Sequence, residues 1–150
     1  LRWATGMENI DGLLKEAHFY ENELKELQGT VVPKFYGFFV GKVGDVDIGC
    51  TLVEWCGGVP HVDLWERNAQ KILATARMHN KLVCHGRLGN DRHFVVSSKD
   101  NRMHIINFTH ASIHKCSGGT PLLLNPDDSE DTPMRCSRCP ELALVEETYG

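Results

Sequence analysis

The chain has no apolar run approaching the roughly 20 residues needed to span a bilayer, so no membrane helix is expected. It has no basic excess either. Sixteen Lys and Arg stand against 20 Asp and Glu, a formal net charge of −4, which excludes the electrostatic footprint of a nucleic-acid binder. Residues Leu1 to Gly6 lack the apolar core and cleavage site of a signal peptide, and the absence of Met at position 1 suggests a fragment or a partial gene model. Cysteine is not scarce, but Cys50, Cys56, Cys84, Cys116, Cys136 and Cys139 are scattered and follow no secretion signal. Reduced thiols in a cytosolic or nuclear, non-secreted protein are therefore expected, and a disulfide framework is not.

What is present reads as one soluble globular unit of 150 residues, with 41% hydrophobic and 24% charged content. Over residues 11–28, Leu13, Ala17, Tyr20, Leu24 and Leu27 recur at spacings of four and three, an apolar stripe on a helix that Gly29 would stop. Two β-rich runs, Lys34 to Val40 and Ile48 to Trp55, flank the turn formers Gly41 to Asp47 and predict a hairpin. Gly57 to Pro60 breaks that strand. Residues 61–80 return to helical period, with Trp65, Ala69, Ile72, Leu73 and Ala76 as the stripe. A second hairpin joins Phe94 to Val96 with Met103 to Phe108. Ser117 to Arg135 is a Gly, Pro, Asp and Ser-rich loop with an acidic centre near Asp127, read as solvated, and an amphipathic tail closes the chain. No internal repeat occurs, and the order of elements is that of an α+β fold.

Four pieces in the middle of the chain carry chemistry: Met78-His79, Val83-Cys84-His85-Gly86-Arg87-Leu88, Arg92-His93-Phe94, and His104-Ile105-Ile106-Asn107-Phe108. Together with Leu27-Gln28-Gly29 and Val32-Pro33, Leu52 to Gly58, and Cys139-Pro140-Glu141-Leu142, they resemble the eukaryotic-like protein kinase fold. The style is that of the divergent kinase-like proteins found in fungi. The resemblance covers roughly Glu16 to Leu142. It implies a partial kinase-like domain over 1–150, with 1–60 a remnant of the N-lobe and hinge and 61–150 the start of the C-lobe. The parts implied are a C-helix, a hinge hairpin, a helix beneath the catalytic loop, a catalytic-loop hairpin and an activation segment. On that reading Val53 is the gatekeeper, and Val53, Glu54 and Cys56 form a hinge whose backbone would bind adenine. Glu16 is the candidate C-helix Glu, with Glu23 the alternative. Ser117 to Cys136 is the activation loop, and Cys139, Pro140 and Glu141 close it. The chain is expected to begin at the C-helix, without the Gly-rich loop or the strand bearing the phosphate-binding Lys. Most of the helical lobe would be missing too.

Three substitutions decide the expected chemistry. Arg87 stands at the catalytic Asp position, His93 at the metal-binding Asn position and Asn107 at the metal-binding Asp position. A guanidinium has no acceptor and stays protonated, so Arg87 cannot take a proton from a substrate hydroxyl. Magnesium prefers carboxylate oxygens, whereas Asn107 offers a neutral amide and His93 an imidazole better suited to zinc. His85 is expected to brace the loop by hydrogen bonds, and Cys84 to be a small core residue rather than a nucleophile. Without its Lys, Glu16 would be a solvated helix-face charge. Trp55 and Trp65 are expected to fill packing gaps, and Thr109 and Thr120 to be solvated hydroxyls.

His110, His114, Cys116, Cys136 and Cys139 include a Cys-X-X-Cys pair and are the right residue types for zinc. Cys139 is already explained by the resemblance, so single thiols and packed imidazoles are expected, with no metal and no cofactor. ATP and Mg²⁺ would bind only if the degenerate site still accepts them. The functional expectation is a catalytically inactive pseudokinase or interaction module, with a protein as partner and neither nucleic acid nor membrane. The alternatives are a divergent active Ser/Thr kinase and a zinc-stapled interaction domain.

Overall fold

The computed structural model describes residues 1–58, 63–116 and 138–150. Its architecture is α+β: three helices with small antiparallel sheets. A first strand, β1 (Arg2–Thr5), leads into helix α1 (Met7–Glu21), and a long hairpin follows, β2 (Phe35–Val43) with β3 (Val46–Val53). Helix α2 (Leu64–His79) precedes four short strands, β4 (Val83–Cys84), β5 (Phe94–Val96), β6 (Met103–Ile105) and β7 (Ser112–Ile113). Helix α3 (Pro140–Tyr149) ends the chain. The sheet order β1-β3-β2 places the terminal strand beside β3, while β4 pairs with β7 and β5 with β6.

The two expected hairpins form. The first is longer than expected, because Gly44 adopts φ 60 at the first central position of a two-residue turn and the strands run on to Val43 and Val46. The first helix departs from the 11–28 expectation at both ends. It begins at Met7, and Asn22 stops it by turning both its backbone N–H and its side-chain amide onto the His18 carbonyl. The tighter turn Lys25–Leu27 then carries the same stripe onward, so Leu13, Ala17, Tyr20 and Leu24 are all buried although one helix does not hold them. Tyr20 stacks on Phe35 at 5.2 Å and meets Phe108 edge-on at 5.5 Å, which joins α1 to the first hairpin and to the turn that follows the second.

The stripe expected on α2 is rotated. Its buried residues are Lys71, Ile72, Ala74, Thr75, Met78 and His79. The helix packs on both β6 and α3, so it needs a wider buried face than one stripe supplies. Lys71 tolerates burial because Asp91 lies 2.5 Å away and the Tyr149 ring lies 4.2 Å below its ammonium. Trp65 and Trp55 do not fill packing gaps: they are 71% and 78% exposed. Trp65 sits in the first turn of α2, ahead of its buried residues, and Trp55 folds its ring over Gly57, where a Cβ would come within 2.5 Å of it.

Strand β1 corrects the expectation that the chain begins at the helix. Arg2 to Thr5 pair with Thr51 to Ile48. The acidic run near Asp127, Thr120, Cys136 and the whole of the expected activation loop, Ser117 to Cys136, lie outside the described residues. No described helix is long and apolar enough to cross a membrane.

Candidate functional site

The loop after β4 is positioned by α3. Glu141, in the first turn of α3, accepts from His79 Nε2 at 2.9 Å, from the His85 backbone N–H at 2.8 Å and from the Gly86 N–H at 2.5 Å. Burial pushes the Glu141 carboxyl up, but these donors outweigh it and hold its pKa below the usual value. Gly86 supplies the φ of 83 that lets two successive N–H groups face one carboxylate. Pro140 opens the helix with a residue that needs no amide partner there.

His85 is fully buried and braces the loop as expected, its Nε2 lying 3.0 Å from the Ile106 carbonyl. Burial lowers its pKa. Its ring lies 4.9 Å from that of His93, whose pKa burial lowers to about 4, with His85 and nearby arginines adding to the effect. His93 is thus a neutral imidazole at pH 7. Cys84 is half-buried, and burial together with the adjoining Glu141 carboxylate raises its thiol to about 12, which removes it as a nucleophile.

His93 and Asn107 are brought together, with Asn107 Nδ2 3.4 Å from His93 Nδ1. The other end of the amide, Oδ1, accepts from Thr109 Oγ1 at 3.0 Å, so Thr109 is not a merely solvated hydroxyl. Asn107 adopts φ 76, ψ 62, a left-handed conformation that Asn tolerates better than most residues, and starts the turn Phe108–His110. Arg87 is exposed and forms no salt bridge among the described residues.

Glu16 is not the solvated charge expected of it. It is 2% exposed and paired with Arg2 of β1, a residue the sequence reading left without a role. Burial raises its pKa against the opposing pull of Arg2 and of the Phe108 and Asn107 backbone amides. Glu23, the alternative, is half-buried and enters no described ion pair.

At the expected hinge, Val53 packs half-buried against the core. The Glu54 N–H is already donated to the Lys34 carbonyl at 2.7 Å, and its carboxylate pairs with Lys99. Cys56 Sγ lies 3.4 Å from His104 Nδ1, and burial raises that thiol to about 11.

A second cluster lies on the far side of Glu141. His79 at the end of α2, His114 and Cys116 beyond β7, and Cys139 before α3 bring one ligand atom each to within 4.8 Å of the others. Cys139 Sγ is 3.6 Å from His79 Nδ1 and 3.4 Å from His114 Nε2. Thiols and imidazoles that the sequence leaves separate are thus brought together. The sequence groups His114, Cys116 and Cys139 as zinc-type residues but not His79, which completes the set, and His110 is not part of it. No protein-family model and no curated protein matched the chain.

Proposed function

We propose that the chain is a protein-kinase-like domain that does not transfer phosphate and serves as an interaction module. The observation that carries the silent-site reading is Asn107. Its amide is held at both ends, the nitrogen beside His93 and the oxygen by the Thr109 hydroxyl, so what stands at the metal-binding position is a neutral oxygen already sharing a hydrogen bond and not a carboxylate. The proton acceptor needed beside it is replaced by Arg87, which has no lone pair to offer.

The kinase-like half of the reading has its own support. Kinases pair a strand Lys with a C-helix Glu. Here Arg2 on β1 pairs with Glu16 on α1, and β1 lies beside β3, the strand that leads to Glu54. The same ion pair favours a second reading, in which nucleotide binding survives without catalysis, Arg2 standing in for the phosphate-binding cation.

Thermal denaturation with ATP, with and without Mg²⁺, separates these. A ligand at 100 times its Kd stabilises the native state by about 2.7 kcal/mol. We expect no magnesium-dependent stabilisation. A shift with ATP alone selects the nucleotide-binding reading. A shift that requires Mg²⁺, or phosphate transfer by the purified chain that is lost in Arg87→Ala, overturns the silent site.

A further inference from the structure

The cluster of His79, His114, Cys116 and Cys139 plays no part in the proposed function and has the chemistry of a metal site. We propose that these four residues bind one zinc ion as a closed Cys₂His₂ structural site, joining the end of α2 to the start of α3. The donor set is the first argument. Thiolate and imidazole select zinc over the hard, oxygen-seeking calcium and magnesium, and four protein ligands leave no open position for catalysis.

The spacing is the second argument. A tetrahedral zinc with bonds of about 2.3 Å to sulfur and about 2.0 Å to nitrogen holds those atoms about 3.5 Å apart. The two described sulfur–nitrogen separations, 3.6 Å to His79 and 3.4 Å to His114, are tetrahedral edges of that length. The four residues arrive from three separate parts of the chain, so no local turn or helix repeat accounts for their meeting.

The third argument is the orientation of His79. Its Nε2 faces Glu141 Oε2 at 2.9 Å, and donation of that N–H leaves Nδ1 as a lone pair directed at Cys139. A ligating histidine held through its second nitrogen by a carboxylate is the usual outer arrangement of a zinc site. Glu141 is itself fixed by the His85 and Gly86 amides, which makes it a positioning residue and not a ligand. That assignment also disposes of the competing group His79, Cys84 and Glu141, because both Glu141 oxygens are already engaged by protein donors.

A metal held this way would link Cys116 to Cys139 across the intervening sequence and anchor α3, which contributes Val145 and Tyr149 to the core.

The test is metal analysis of the full chain, purified under reducing conditions without chelator. About one zinc per chain is expected, and replacement by Co²⁺ should give the visible absorption of a tetrahedral thiolate site. His114→Ala and Cys116→Ser change half-buried residues. Each should lower zinc affinity at least about tenfold with the far-ultraviolet circular dichroism retained, and Glu141→Gln should lower it about 10- to 100-fold. Cys84→Ser should leave it unchanged. Protein that neither carries nor takes up zinc, stoichiometric iron or copper in its place, full zinc affinity in Cys116→Ser, or loss of zinc in Cys84→Ser would each overturn the assignment.

Discussion

Glu141 is ionised although nearly buried, because donors from two other segments meet its two oxygens: the His79 imidazole and the amides of His85 and Gly86. Truncation would leave the His79 and His85 donors buried and unmatched, and the Gly86 amide partly so. At about 1 kcal/mol or more for each buried donor, Glu141→Ala should cost at least about 2 kcal/mol in urea denaturation, against less for Glu141→Gln, which keeps an acceptor. The folded carboxyl titrates below its ordinary value of 4.5, so its contribution is complete above that pH and is lost as pH falls through the folded value. Glu141→Gln should therefore flatten the stability profile below about pH 4.5 while changing its shape little near neutrality. An unchanged acid limb in that variant would mean that the three contacts are not what keeps the carboxyl ionised. The residue types at Arg87, His93 and Asn107 were legible in the sequence. The hydrogen bonding that occupies Asn107 was not, since it depends on how Thr109 and His93 turn toward it.

At the scale of elements, what the sequence disclosed was periodicity, and what it concealed was contact between distant segments. The stripe of Leu13, Ala17, Tyr20 and Leu24 marked the core face correctly even though the helix breaks at Asn22. Strand β1 was invisible because Arg2 to Thr5 is short, shows no apolar alternation, and exists only through its pairing with β3. The Cys₂His₂ cluster was hidden for a similar reason: His79 is remote from the other three in sequence, so spacing rules could not include it. The closeness of α1 to β3 depends on a residue that has no side chain. A Cβ on Gly49 would come within 2.9 Å of Ile10 Cγ2, closer than real contacts allow. Gly49→Ala should therefore cost about 1–3 kcal/mol by overpacking. Trimming the partner in Gly49→Ala/Ile10→Val should recover part of that loss, so the two substitutions should couple in a double-mutant cycle. Strict additivity would show that α1 rides over the sheet without that contact.

Across the whole molecule, a recurrent feature is the burial of imidazole. His85, His93 and His104 are each at most 2% exposed, and burial lowers the pKa of all three, that of His93 to about 4. In the unfolded chain these groups take up protons near the ordinary imidazole value of 6.5, while the folded protein holds them neutral. The unfolded state thus binds more protons below that value, so stability should be greatest above pH 6.5 and fall as the pH drops toward the folded values. Each such group contributes a slope of up to about 1.4 kcal/mol per pH unit. Glu16 works against this trend, because its raised folded pKa makes the native state the better proton binder just above 4.5. A zinc site would add to the acid loss, since protonation of its thiolates and imidazoles releases the metal. Cys116→Ser measured with a chelator present removes that contribution, leaving the buried imidazoles as the main source of the slope between pH 6.5 and 5. In that background His93→Gln should lower the slope by up to about 1.4 kcal/mol per pH unit, measured by urea unfolding at several pH values. A slope that persists unchanged would mean that His93 titrates normally in the folded chain, and direct titration of its ring protons by NMR would then find a value near 6.5 instead of about 4.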